Sequence, residues 1–343
     1  MTVELRRKII WSLGFAFLLY IGLAVYGDWQ KLSAALLDFP WLWLPAVIGL
    51  TLVNYGGRLL RWHWYLRTLG APISRADSAR VFGVGMLMVM TPGKAGEFLK
   101  SYMIRTVTGT PMSQTAPAVL AERLTDGFAM LILASVGLLA FPQPAARLFA
   151  GVFFVGFLLF LAVIQIRPLA LWGLGLGARM AWTRRFVGPL HTFYEGSYLV
   201  FRPRNFALAL GVGLVCWAAE GVAYYVVLVG FGAAPGWQSL FAAVFIFSIS
   251  TVIGALIAMP GGLGGVEGSL VALSRQIFGM AAAPATAAAL LVRFCTLWLG
   301  VLIGVVSFIL WSHLMTGAAT ADRDESVAAD SVPNPAPDAP LSR

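Results

Sequence analysis

Apolar runs recur along the chain near 9–27, 41–60, 115–140, 148–166, 206–230 and 286–312. A hydrocarbon core about 30 Å thick takes roughly 20 residues of helix to cross, and these runs meet that length. A lone Leu-rich core helix explains one such run, not six. Two further apolar stretches break in the middle. In 81–105 the triplet Thr91-Pro92-Gly93 interrupts the run, and Lys94, Glu97 and Lys100 follow. In 239–278 the same design surrounds Met259-Pro260-Gly261-Gly262. Proline removes a backbone donor and disfavours helix in the residue before it, while glycine permits a sharp turn. The pattern predicts two re-entrant helical hairpins, whose turns need protein or a water-filled cavity to satisfy their backbone. The alternative at each break is a single kinked spanning helix.

The two broken segments share a charge register. Glu97, Arg105 and Arg123 in the first correspond to Glu267, Arg275 and Arg293 in the second, with glutamate to first arginine 8 residues and glutamate to second arginine 26 residues in both. Leu69-Gly70-Ala71-Pro72 and Phe231-Gly232-Ala233-Ala234-Pro235 close the helix before each break. Counting crossings gives each half the order helix, hairpin, helix, with the halves oppositely oriented. The expected fold is an all-α polytopic membrane protein of about six spanning helices plus two re-entrant hairpins in an inverted repeat, an architecture found in transporters. The repeats fall at about 41–140 and 206–312 within a membrane domain of residues 1–316.

Charge refines this picture. Apolar residues make up 59% and charged residues 11% of the chain, with a net charge of +9. The cations are not grouped as a nucleic-acid surface would need. Arg6, Arg7 and Lys8, then Arg61, Arg67, Arg75 and Arg80, then Arg167, Arg179, Arg184, Arg185, Arg202 and Arg204 occupy alternate connections, while the opposite ones hold only Lys31 and Arg147. That bias places both termini in the cytoplasm and draws the basic loops to anionic headgroups. The length of the first apolar run and the lack of a small-x-small cleavage site predict an uncleaved anchor. Aromatic residues among the arginines of 169–205 predict an interfacial amphipathic segment, and Trp62, Trp64 and Tyr65 an interfacial belt. The acidic, Pro-rich tail 317–343 has the composition of a disordered segment.

Ionisable groups inside spanning segments are expensive, which makes them partners of one another or functional. Arg58, Glu122, Asp126 and Glu220 read as an intramembrane charge network, with Glu122, Arg123 and Asp126 spaced to share one helix face. A helix beginning after a Pro-Gly turn aims free N–H groups and its positive dipole end at the turn. Gly93 and Lys94 in one hairpin, and Gly264 and Gly265 in the other, are therefore candidates to bind an anion together with Arg123 and Arg293. Glu97 and Glu267 either pair with those arginines or couple the site to protons. The structural alternative for the glycines is close helix packing, and for the charges a buried network tying the halves together. Cys216 and Cys295 lack CxxC spacing, His63, His191 and His313 are scattered, and no metal set, cofactor motif, P-loop or nucleophile triad occurs.

The segments Asn54-Tyr55-Gly56-Gly57-Arg58, Thr91-Pro92-Gly93-Lys94-Ala95-Gly96-Glu97, Glu122-Arg123-Leu124-Thr125-Asp126 and Pro260-Gly261-Gly262-Leu263-Gly264-Gly265-Val266-Glu267 form a set. That set resembles the transmembrane region of lysylphosphatidylglycerol synthases, a flippase-like domain family with stand-alone members, over nearly all the chain to about residue 312. The resemblance implies a bacterial inner-membrane protein related to lipid flipping. In two-domain relatives a soluble C-terminal domain attaches lysine to phosphatidylglycerol and the membrane part translocates the product; some archaeal relatives carry a glycosyltransferase domain instead. Only the short tail follows here, so neither enzymatic activity is expected. The leading expectation is a lipid translocase for an anionic or phosphate-bearing lipid. An intramembrane lipid-modifying enzyme and a non-transporting subunit of a glycolipid synthesis complex, partnered by a synthesis enzyme, are the alternatives.

Overall fold

Residues 22, 29–91, 96–138, 155–156, 184–257 and 259–315 are described by a computed structural model. The runs expected to cross at 9–27 and 148–166 lie outside the described residues apart from 22, 155 and 156, as does the tail from 316. Every regular element among the described residues is helical, with no strand among them.

Helix α1 (Trp29–Leu37) runs into a 3-10 turn, Trp41–Trp43, and then α2 (Leu44–Thr68). The bend between them is 68°. Pro40 sits at the bend, and Pro45 occupies the first turn of α2, where its missing N–H costs nothing. Helix α2 continues past the expected end near 60 to Thr68, and the chain then turns through Gly70 at φ 73°. This moves Arg61 from a cytoplasmic connection into the helix, where it is 2% exposed. Trp62 and Tyr65, expected in an interfacial belt, are fully buried for the same reason.

Ser74 starts α3 (Arg75–Leu87) as an N-cap, its Oγ accepting from the Asp77 N–H at 3.0 Å. The helix tightens into a 3-10 turn at Met88–Met90 and stops at Thr91. Thr91 Oγ1 donates to the Met88 carbonyl at 2.6 Å and accepts from the Gly96 N–H at 2.8 Å, on the far side of residues 92–95. Those four residues, including Gly93 and Lys94, lie outside the described residues. The return arm is α4 (Leu99–Thr108), ended by Gly109 in the left-handed region, and α5 (Met112–Gly137) follows.

The described part of the segment expected to be interfacial forms α6 (Arg184–Val200), one face of which packs on α5. The second half repeats the order with α7 (Pro203–Gly230), α8 (Trp237–Ile257), a Pro260–Gly262 turn, α9 (Gly265–Phe278) and α10 (Ala282–Arg293). A π-helical turn, Phe294–Trp298, joins α10 to α11 (Leu299–Leu310). Both expected interruptions are therefore present, but their first arms differ. Helix α3 has 13 residues, about 20 Å, and α8 has 21, about 30 Å, enough to cross. Among the described residues α7, α8 and α10–α11 are long and apolar enough to span, and the bent α1–α2 pair makes up to four. Helix α5, with 26 residues, has the length but carries Glu122, Arg123 and Asp126 in its middle.

Packing between the halves is reciprocal. Helix α2 lies against α7, α3 against α11, and α8 against α5. The first arm of each hairpin thus packs on the last helix of the other half. At the α3–α11 crossing the backbones nearly touch: a Cβ on Gly304 would lie 2.9 Å from the Leu87 Cα. One apolar core centres on Trp62, Phe82, Met103 and Val119, another on Tyr224, Phe247, Leu270 and Val292. A small third core of Leu87, Met90, Leu263, Leu297 and Val301 joins them where the two turns meet.

Candidate functional site

The second turn is a run of glycines because its backbone demands them. Gly261, Gly262 and Gly264 hold φ of 61°, 68° and 81°, which L side chains adopt only with strain. A Cβ on Gly261 would also approach Met90 Sδ and Leu297 Cδ2 at 3.2 Å each. From this turn α9 begins, and Glu267 reaches back so that its Oε2 accepts from the Gly264 N–H at 2.7 Å. Its other oxygen accepts from Arg293 Nε on α10 at 2.7 Å, and Arg293 Nη2 donates to the Gly261 carbonyl at 2.6 Å. The start of α9, expected to present free N–H groups, is thus partly capped by its own glutamate. Gly265 packs toward Gly254 and Ile257 of α8. Neither Gly264 nor Gly265 borders the adjoining cavity; Gly261 and Gly262 do.

The first half places the corresponding pair in the same register. Arg123 Nε lies 3.1 Å from Glu97 Oε2, so the 26-residue spacing makes a glutamate–arginine contact in both halves. Here, however, the pair is part of a larger cluster. Arg123 Nη2 lies 3.4 Å from Glu122 Oε1 and 3.2 Å from Asp126 Oδ2. From α2, Arg58 Nη2 donates to Glu122 Oε1 at 3.2 Å, and Arg61 pairs with Asp126. From α4, Lys100 Nζ donates to Glu122 Oε2 at 2.6 Å and stands 4.4 Å above the Trp62 ring. Buried charges survive when paired and hydrogen-bonded in this manner.

A cavity of about 420 Å³ opens between these two sets. Arg58, Glu97, Lys100, Arg123 and Asp126 border it from the first half, and Glu220 and Arg293 from the second. Arg58 and Glu220, matched in position within α2 and α7, thus meet the same space. Apolar wall comes from Phe82, Val89, Met130, Trp217 and Phe247. Glu122 and Glu267 stand behind the bordering cations as their partners.

Arg61 and Lys100 are the network members that the sequence reading did not assign to it. Each had a signal. Arg61 is one helical turn beyond Arg58, and Lys100 is three residues beyond Glu97, so both share faces with assigned groups. Gly93 and Lys94 lie outside the described residues.

An all-helical body with spanning helices, built around a buried charged cavity, defines an integral membrane protein of α-helical class. The chain belongs to the family described as the lysylphosphatidylglycerol synthase TM region, which it matches over residues 9–304. It is also similar to proteins of Methanothermobacter thermautotrophicus named UPF0104 membrane protein. One is 24% identical over 323 residues, covering 87% of this chain and 92% of the relative. A second is 24% identical over 271 residues, 72% and 79% of the two chains, and a third 27% identical over 260 residues, 66% and 71%.

Proposed function

We propose that this protein translocates an anionic or phosphate-bearing lipid between the leaflets of a bacterial inner membrane. The observation that carries the reading is the charged cavity bordered by both halves where their interrupted helices meet. Such a space offers ionic partners to a headgroup that otherwise crosses hydrocarbon at high cost. Its cations supply charge-assisted donors, its carboxylates keep those cations tolerable when no headgroup is present, and its apolar wall accommodates the first segments of the acyl chains. Alternating exposure follows if the oppositely oriented halves rock about the meeting of the turns, the behaviour of inverted-repeat transporters.

The family supports a membrane role of this type, and the reading needs no second domain. Purified protein in liposomes, with a tail-labelled anionic phospholipid and a membrane-impermeant quencher, tests it. The wild type speeds loss of leaflet asymmetry, and Arg123→Ala or Arg293→Ala abolishes the effect. Equal rates in wild type, variants and protein-free vesicles overturn the reading.

A further inference from the structure

We infer that the oxyanion seat of the cavity belongs to one half alone, formed by the guanidinium groups of Arg58 and Arg123, while Arg293 serves as a latch on the second turn. This rests on the translocation reading and divides labour within its site.

The first argument is hydrogen-bond satisfaction. Arg293 is committed: Nε to Glu267, Nη2 to the Gly261 carbonyl, with 9% of its side chain exposed. Arg123 is 23% exposed and lies near three carboxylates, yet its buried Nε and Nη2 have no aligned acceptor. Arg58 Nε is in the same condition, 3.9 Å from Asp126 Oδ2. Guanidinium–carboxylate pairs gain most when their N–H groups lie along the fork, and a buried donor without an acceptor is destabilising. Both arginines border one cavity, and these three nitrogens, buried behind its wall, are the donors that can turn to the oxygens of a phosphate without breaking an aligned bond of their own.

The second argument is charge. Among the described residues the first half contributes Arg58, Arg61, Lys100 and Arg123 against Glu97, Glu122 and Asp126, four cations to three carboxylates. The second half contributes Arg293 against Glu267 and Glu220, an excess of one carboxylate. At the repeat distance of 170 residues, Glu122 and Asp126 correspond to Val292 and Thr296. The halves share the turn contact and differ in everything around it, so an anion is drawn to the first half and repelled by the second.

The third argument is what Arg293 holds. It ties α10 to a turn whose glycines occupy left-handed backbone, and through Glu267 it fixes the start of α9. Moving it onto a ligand would release the turn.

The ligand class is a phosphate-type oxyanion, which a lipid headgroup or free phosphate can supply. The test measures binding of dihexanoyl phosphatidic acid, inorganic phosphate and neutral dihexanoylglycerol to the full chain in detergent, alongside thermal midpoints. Wild type binds phosphatidic acid and not the neutral lipid. Arg58→Gln and Arg123→Gln weaken that binding by about tenfold or more and also lower the midpoint, because each leaves buried carboxylates short of a partner; Arg123→Lys, which keeps the charge, falls between in affinity. Arg293→Gln keeps affinity within about twofold while lowering the midpoint and speeding amide exchange at 259–264. Inorganic phosphate binding as tightly as phosphatidic acid supports the seat and makes the free ion its ligand; much weaker phosphate binding supports the seat and makes the lipid its ligand. Equal loss of affinity in Arg293→Gln and Arg123→Gln overturns the division, as does wild-type binding that ignores the phosphate. If those results occur while wild type still moves lipid in vesicles, the translocation reading stands without the seat. If the seat behaves as expected and no lipid moves, that reading falls alone.

Discussion

Glu267 concentrates several interactions in one carboxylate, with Arg293 on one oxygen and the Gly264 N–H on the other. Removing one member of a buried pair leaves a charge with little compensation, at a cost of about 3–5 kcal/mol. Glu267→Gln and Arg293→Met each lower the unfolding midpoint in detergent, and Glu267→Leu with Arg293→Met recovers most of the loss. A double variant as unstable as the singles would show that the contact to Gly261, not the ion pair, holds the turn. This pair was legible from the chain alone, because a 26-residue spacing repeated in both halves carries opposite charges in apolar surroundings. Arg61 was not. Its membership depends on α2 running to Thr68, and a run of Arg61, Trp62, His63 and Trp64 reads locally as the end of a span. Tertiary burial against α5 and α7 decides the matter, and the one local signal, its place a helical turn beyond Arg58, counts only if the helix continues.

At the scale of elements, the two interruptions are the features on which the site depends. Both were predicted from Pro-Gly breaks, and both occur: α3 stops at Thr91, and the second turn takes glycine conformations at Gly261, Gly262 and Gly264. The unequal arms were less legible. Helix α8 is apolar throughout, so its sequence fits a buried half-length arm as well as the 21-residue helix observed. The contact between turns is tight at Gly261, whose Cβ would meet Met90 and Leu297. In a background lacking Cys216 and Cys295, cysteines at Met90 and Leu263 cross-link under mild oxidation, since both sit in the small core between the turns. Adding Gly261→Val reduces the yield sharply. Undiminished cross-linking in that variant would mean the turns do not meet through Gly261. Gly304→Val separates α3 from α11 and lowers the thermal midpoint, a result that tests the reciprocal packing independently.

For the whole molecule, the halves exchange partners: α3 lies on α11 as α8 lies on α5. The charge bias along the chain predicts the side of each connection. Cysteines at Ala76 and Gln238, exposed positions at the beginnings of α3 and α8, then label from opposite faces in oriented membranes, Ala76 from the cytoplasm. Labelling from one face alone would contradict the inverted arrangement. Composition made the membrane class plain, and the repeat pointed to the glutamate–arginine contact found in each half. The balance of charge was not visible beforehand: five cations and five carboxylates meet at and around this cavity among the described residues. Among the described residues these charges balance, with the excess cation in the first half; Lys94, the further cation expected at the first turn, lies outside them.

The most direct measurement uses the Met90→Cys, Leu263→Cys protein in vesicles containing a tail-labelled anionic phospholipid. If headgroups pass where the two turns meet, oxidation stops transbilayer movement and reduction restores it to the rate of the cysteine-free parent. Movement at the same rate in the oxidised and reduced states would contradict passage through this site.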